Sequence, residues 1–293
     1  MTKDILNGAY DLHIHSAPDV MARKMNDLEM TKRAKAKGMK GFAIKSHFFC
    51  TSERASIVKE IYPDVNVIGT ICLNNAVGGV NPTAVEMAAR SGAKIVWMPT
   101  VDSENEQSRL RAGTLKKLPY WATIQQEMKK EGVLSHSIKV LENGELKQEV
   151  YEVLKVIAKN NMVLATSHLT HDETFAVVEA AAKLGVNRII VTHVDFPTTF
   201  YTVEEQKKLV DFGAYMEHCF TTPATEKVAW DVVFDQIKKI GSKHCILATD
   251  LGQPTALYPD EGLEKFALTL LENGFNEKDI DNMIRVNPKY LVE

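Results

Sequence analysis

The feature that most constrains this chain is a rhythm. Short apolar runs of strand length alternate with longer segments of helical periodicity. That alternation argues for βαβ units on a parallel sheet. Strand one runs from about Gly8 to Ile14, and a helix of roughly Leu28 to Lys37 follows, with Gly38 where a capping glycine belongs. "MKGFAIKSH" is strand two, ending near His47, and "TSERASIVKEI" is a helix capped by Thr51 or Ser52. "VNVIGTIC" is strand three. In "NPTAVEMAARSG" Asn81 caps, Pro82 fills the first helical position and Gly92 ends the helix. "AKIVWMPT" is strand four. The helix "EVYEVLKVIAKNN" precedes strand five, "MVLATSH". Strands six to eight are "NRIIVTH", "AYMEHC" and "HCILATD". Between them lie "DETFAVVEAAAKLG", with Asp172 as cap, "TVEEQKKLVDFG", with Thr202 and Glu205 as a capping box, and "ATEKVAWDVVFDQIKKIG". Two more helices, near Glu261–Asn273 and Glu277–Ile284, end the chain.

Eight strands, each followed by a helix, predict a single α/β domain over residues 1–293, a (β/α)8 barrel of the TIM type. Its site should lie at the C-terminal ends of the strands. The competing arrangement is an open doubly wound sheet. A glycine-rich phosphate loop after strand one would favour it, and no G-x-G-x-x-G stands there. The rhythm breaks between about residues 101 and 148, a stretch too long for a simple connection. It holds an amphipathic segment, "LPYWATIQQEMKKEG", and a hairpin, "HSIKVLENGELKQ", turning at Asn143-Gly144. We read it as an inserted lid or subunit contact, in a homo-oligomer.

Composition narrows the partners. The net charge is -3 and basic residues form no tract, which argues against a nucleic-acid partner. No apolar run approaches the roughly 18 residues of a membrane span, and "MTKDILNGAYDLHIH" has no h-region of a secretory signal. The four cysteines, Cys50, Cys72, Cys219 and Cys245, form no C-x-x-C pair. Free thiols in a reducing, cytoplasmic compartment are expected.

Several strands end in an ionisable residue that would be expensive to bury unpaired. Strand one carries His13 and His15, strand two Lys45 and His47, strand five His168, strand six His193, strand seven Glu217 and His218, and strand eight Asp250. Residues two apart share a face of a strand, so His13 pairs with His15 and Lys45 with His47. Glu217 and His218 are adjacent, so only one of them faces the barrel axis. If the strands close into a barrel, these ends converge. Several imidazoles with a carboxylate form the ligand set of zinc, manganese or iron, and Asp250 is placed to act as general base. His136, His171 and His244 read as ordinary. Ser–His–Asp hydrolysis lacks its G-x-S-x-G elbow, and a Cys219 nucleophile rests only on its sequence neighbours Glu217 and His218. Arg23, Lys24, Lys45 and Arg54 follow or end strands one and two, which hints at an anionic small-molecule substrate.

"DLHIH", "TSH", "VTH", "ATD" and the closing "NMIRVNPKYLV", in that order along nearly the whole chain, resemble the amidohydrolase superfamily of metal-dependent hydrolases. The resemblance implies that His13, His15 and Asp250 bind one metal, zinc first among the candidates, and that His168 binds the same ion or a second. His193 would bind the second ion or hold the water and substrate. Asp250 would take the water's proton and pass it to the leaving group, and His193 would stabilise the oxyanion. The reaction implied is hydrolysis of an amide, cyclic amide or lactone. Members with two metals carry a carboxylated lysine or a glutamate at the end of strand four. Here that strand ends "WMPT", so the site is mononuclear or its bridging ligand is Lys45 or Glu217. Lys45 might instead bind a substrate carboxylate or phosphate as a point charge. "DLHIHS" with "AIKSH" is also similar to the PHP phosphoesterases, which would make His47 a ligand. Against that, "VIGTIC" lacks their glutamate and "ATDLG" lacks their D-x-H. A decarboxylase using the same site and a barrel that binds without turnover complete the alternatives.

Overall fold

The computed structural model describes residues 5–113, 119–133 and 136–293. Leu118, the first residue of the expected amphipathic segment, lies outside them. Eight strands form one parallel sheet: β1 Tyr10–Ile14, β2 Gly41–Ile44, β3 Asn66–Cys72, β4 Ala93–Trp97, β5 Val163–Ala165, β6 Ile189–Val191, β7 Ala214–Cys219 and β8 Cys245–Ala248. Each is hydrogen-bonded to the next in chain order. Helices Asp27–Ala36, Ser52–Ile61, Pro82–Arg90, Gln148–Lys159, His171–Lys183, Val203–Asp211 and Trp230–Ile240 cover the outside. This is the (β/α)8 barrel. Between β4 and Gln148 stand helices Glu104–Arg111 and Tyr120–Lys130 and a hairpin, Leu141–Glu142 with Glu145–Leu146. The hairpin turns through Asn143 and Gly144, both at positive φ (52° and 85°), as a two-residue turn of this type requires. Among the described residues no helix is long and apolar enough to cross a membrane.

Local chemistry sets the helix starts. Asn81 accepts from the Thr83 and Ala84 amides ahead of Pro82, and Thr202 with Glu205 forms the expected capping box. Two caps differ from expectation. Thr170, not Asp172, caps His171–Lys183, because Glu173 lies three residues on and completes a capping box with it. Thr51 stands at the start of Ser52–Ile61 but gives its hydroxyl proton to the Ile44 carbonyl at 2.7 Å, tying the helix to the end of β2.

The core has two layers. The larger lies between strands and helices, and a smaller cluster fills the barrel, including Tyr10, Leu12, Ala43, Ile68, Ile95 and Trp97. Strict alternation would put Leu12 and His13 on opposite faces. A register irregularity between Asp11 and Ile14 lets both face inward: Leu12 joins the inner cluster, and the His13 ring lies 4.8 Å from that of Trp97. Leu291 and Val292 of the last helix, Asn287–Val292, pack into the same inner cluster, and the Asn287 amide donates to the Ser242 and Cys245 carbonyls.

β1 and β8 meet at a seam closed by side-chain as well as backbone bonds. The Asp250 amide donates to the His13 carbonyl and the His15 amide to Leu251, each at 2.8 Å. Buried Asp11 accepts from the Thr249 hydroxyl at 2.6 Å and from the Thr249 and His13 amides. Burial pushes the Asp11 carboxyl up to about 7 despite these three donors. A folded-state pKa raised above the unfolded value favours the protonated native state. The stabilisation is therefore full below about pH 4 and is lost as pH rises to about 7. In D11N this loss should vanish. Urea denaturation at about pH 5 and about pH 8 checks it, and an unchanged difference between the two in D11N would assign the slope elsewhere.

Candidate metal and active site

The strand-end residues converge at the C-terminal end of the barrel, in a cavity of about 540 Å³ whose lining includes His15, Lys45, His47, His168, His193 and Asp250. Three of the sequence motifs do something that period-two reasoning does not anticipate. β5, β6 and β8 stop before their motifs end, and Ser167, His193 and Asp250 lie in turns at positive φ (57°, 30° and 52°). Such a backbone is costly for residues other than glycine and aims His168, His193 and Asp250 across the barrel mouth. Gly252 supports the last turn: a Cβ there would lie 1.8 Å from the His15 carbonyl oxygen.

Hydrogen-bond partners decide which imidazole nitrogens carry protons, since carboxylates only accept and guanidinium groups only donate. His168 Nδ1 lies 3.0 Å from Glu106 Oε1, so Nδ1 carries the proton and Nε2 a lone pair. His193 Nδ1 lies 2.9 Å from Thr199 Oγ1, whose own proton goes to the His193 carbonyl, so His193 too presents a bare Nε2. The two Nε2 atoms face each other at 3.2 Å. Burial, with the Lys45 charge nearby, holds His193 well below the usual imidazole range, so it stays neutral. Two bare nitrogens at this spacing match an edge of the tetrahedron that metal–nitrogen bonds of about 2.0–2.1 Å would form. The second shell has the carboxylate that metal-binding histidines use.

The second cluster is His13, His15 and Asp250. Asp250 Oδ1 lies 3.1 Å from both His13 Nε2 and His15 Nε2, and these groups could hold a metal ion. Burial acts to raise the Asp250 carboxyl, but the two imidazoles hold it well below the usual carboxylate range. His13 gives Nδ1–H to Glu217 Oε2 at 3.1 Å, and its Nε2 also meets Lys45 Nζ at 2.9 Å. Burial and Lys45 lower the His13 pKa, but Glu217 and Asp250 outweigh them and raise it. His15 differs. Arg23 Nη2 donates to its Nδ1 at 3.2 Å, so Nε2 carries the proton and gives it to Asp250. Burial and the Arg23 charge push His15 down to about 3. Arg23 thus occupies the Nδ1 lone pair of His15, and His13 Nε2 is shared between Lys45 and Asp250, while the Nε2 atoms of His168 and His193 face each other.

The other expected residues fall as follows. Glu217 faces inward and is fully buried behind His13, accepting also from the His193 backbone amide at 3.0 Å, so it braces the His13 imidazole and the backbone turn at His193. His218 points outward to Asp195 at 2.9 Å. Cys219 lies 3.7 Å from His13 Nδ1, and burial raises its thiol well above the usual range, so it is no thiolate nucleophile. His47 lines the cavity with Nδ1 on Thr100 at 2.9 Å and stays neutral through burial, with the Lys45 charge nearby. At the end of β4 Trp97 fills the space of the missing acid, with Lys45 Nζ 4.4 Å above its ring. His171 stacks on Tyr201 and pairs with Glu205, away from the cavity. Sequence reasoning missed Glu106 and Thr199. Each lies outside the strand rhythm, and only the fold brings it to a histidine.

Together the site and the barrel define a fold class. The chain shares its fold with solved metal-dependent hydrolase barrels. An amidohydrolase from Pseudomonas aeruginosa superposes with a TM-score of 0.64 at 10% identity, covering 99% of this chain and 97% of that one. An organophosphorus hydrolase from Deinococcus radiodurans gives 0.59 at 13%, covering 99% and 94%. A dipeptidase described as a metallopeptidase gives 0.60 at 13%, covering 98% of each. No curated protein matches the chain. Residues 8–217 match DUF6282, a family of unknown function, and the chain belongs to that family.

Proposed function

We propose that this protein is a metal-dependent hydrolase that cleaves an amide, cyclic amide or lactone bond of a small molecule. One observation carries the reading: in the barrel mouth, His168 and His193 bring their Nε2 atoms within 3.2 Å of each other, each with its Nδ1 on a second partner, beside the His13–His15–Asp250 cluster. His168 and His193 would hold one divalent ion, zinc by donor chemistry with manganese or iron as alternatives, and His13, His15 and Asp250 form the second set. Such an ion polarises a carbonyl and brings the pKa of a bound water towards about 7.

The chain's own groups do the rest. Asp250 Oδ1 is engaged by two imidazoles, and Oδ2, 3.3 Å from the Thr221 hydroxyl, takes the water's proton and later returns it to the leaving nitrogen or oxygen. With its proton on Nδ1, His193 offers a lone pair and not a donor, which favours a ligand role over oxyanion stabilisation. Lys45 and Arg23 are the cationic donors left to orient substrate.

Metal analysis of protein purified without chelator, paired with a hydrolysis panel of lactones, cyclic amides and dipeptides, tests the reading. We expect one or two ions per chain and activity that is lost on chelation and restored by zinc or manganese. A metal-free protein that neither ion stabilises thermally would sink it.

A further inference from the structure

We propose that the substrate carries a carboxylate and that Lys45 and Arg23 seat it; this rests on the hydrolase reading only in naming the occupant a substrate. Lys45 is 1% exposed and lines the cavity. Its ammonium touches an imidazole nitrogen and the face of Trp97, and among the described residues no carboxylate lies within ion-pair distance of it. An ammonium buried that deeply is held best by a carboxylate in direct contact, and among the described residues Asp250 and Glu217 reach Lys45 only through His13. One N–H goes to His13, leaving two for an oxyanion. The nearest acid in the cluster, Asp250, is already shared by two imidazoles.

Arg23 lines the same cavity. Asp19 holds its Nε, and Nη2 is divided between Asp19 and His15. Its Nη1 makes no bond among the described residues, so the N–H groups of that one nitrogen remain available. The Lys45 ammonium and the single Arg23 Nη1 offer one donor to each oxygen of a carboxylate. A phosphate monoester, with close to two charges and three acceptor oxygens, would call for more donors. Beyond the cations and histidines the lining includes the aromatic side chains of Phe196 and Trp121, and exposed Lys227 lies 4.4 Å over the Phe196 ring. The occupant is therefore a small, flat molecule with its carboxylate at the inner end, close to the groups proposed to act on the scissile bond.

Isothermal titration of the protein as purified, with benzoate, its neutral isostere benzamide, and phenyl phosphate as probes, tests this. Benzoate should bind at least about tenfold more tightly than benzamide, the scale of one charge-assisted hydrogen bond. K45M should remove that preference, K45R should keep most of it, and K227A on the rim should change it by less than about threefold. Benzoate can also bind a metal directly, so the titration is repeated after chelation, where the dependence on Lys45 should persist. Equal binding of benzoate and benzamide by the wild type would overturn the inference without any variant. A preference for phenyl phosphate, or equal losses in K45M and K45R, would overturn it too. Benzoate binding that depends on Lys45 in a protein found to contain no metal would sink the hydrolase reading and leave the carboxylate seat standing.

Discussion

Replacing Asp250 with asparagine is expected to lower turnover by about 10²- to 10⁴-fold, the usual scale for removing a general base, while leaving most of the metal bound. Asp250 stands at φ 52°, its amide on the His13 carbonyl, one carboxylate oxygen on two imidazoles and the other beside Thr221. Burial works against its charge, but the imidazoles keep it ionised, so it is a base through the physiological range. Asparagine keeps an acceptor for His13 and His15 but cannot take a proton. The check is kcat on whichever substrate of the panel the wild type turns over fastest, with metal content measured on the same preparation. Turnover within a few-fold of wild type would place the base elsewhere. Loss of metal together with activity would make Asp250 chiefly a ligand.

The barrel was legible because its strands are buried on both faces and read as apolar runs bounded by well-punctuated helices. The converging histidines were legible for the same reason: an ionisable residue closing such a run is conspicuous. What stayed hidden lies in the backbone and the second shell. The segments that hold Ser167, His193 and Asp250 at positive φ replace what looked like strand, because the mild left-handed tendency of Asp and His is outweighed by the apolar run each one closes. The irregularity after Asp11 turns both Leu12 and His13 inward, which alternation alone forbids. At "EHC" the pattern allowed either Glu217 or His218 to face the axis. Packing decides for Glu217, which braces His13 and His193, and leaves His218 to Asp195. Glu106, in a helix between β4 and β5, reaches His168 only through tertiary contact, so no spacing rule finds it.

Glu106 also sets a graded test of where metal binds first. Burial acts to raise its carboxyl, but the hydrogen bonds from His168 and Thr198 outweigh this and hold it below the usual glutamate range. An ionised acceptor at 3.0 Å fixes the proton on His168 Nδ1 and keeps Nε2 bare. In E106Q the amide can donate instead, which moves the imidazole proton to Nε2 and removes the lone pair. Metal affinity should fall by about 10- to 100-fold, as for other second-shell losses, and H168A should remove tight binding altogether. H218A is the control. It deletes a histidine buried more deeply than His168, but one that faces outward to Asp195, so it costs stability while leaving the metal affinity of folded protein unchanged. Competition titration against a zinc chelator dye, with Tm recorded for each variant, separates the cases. Equal losses of affinity in E106Q and H218A would trace the effect to general destabilisation. Full affinity in H168A would shift the first metal to His13, His15 and Asp250, which requires Arg23 and Lys45 to give up the imidazole nitrogens they now hold.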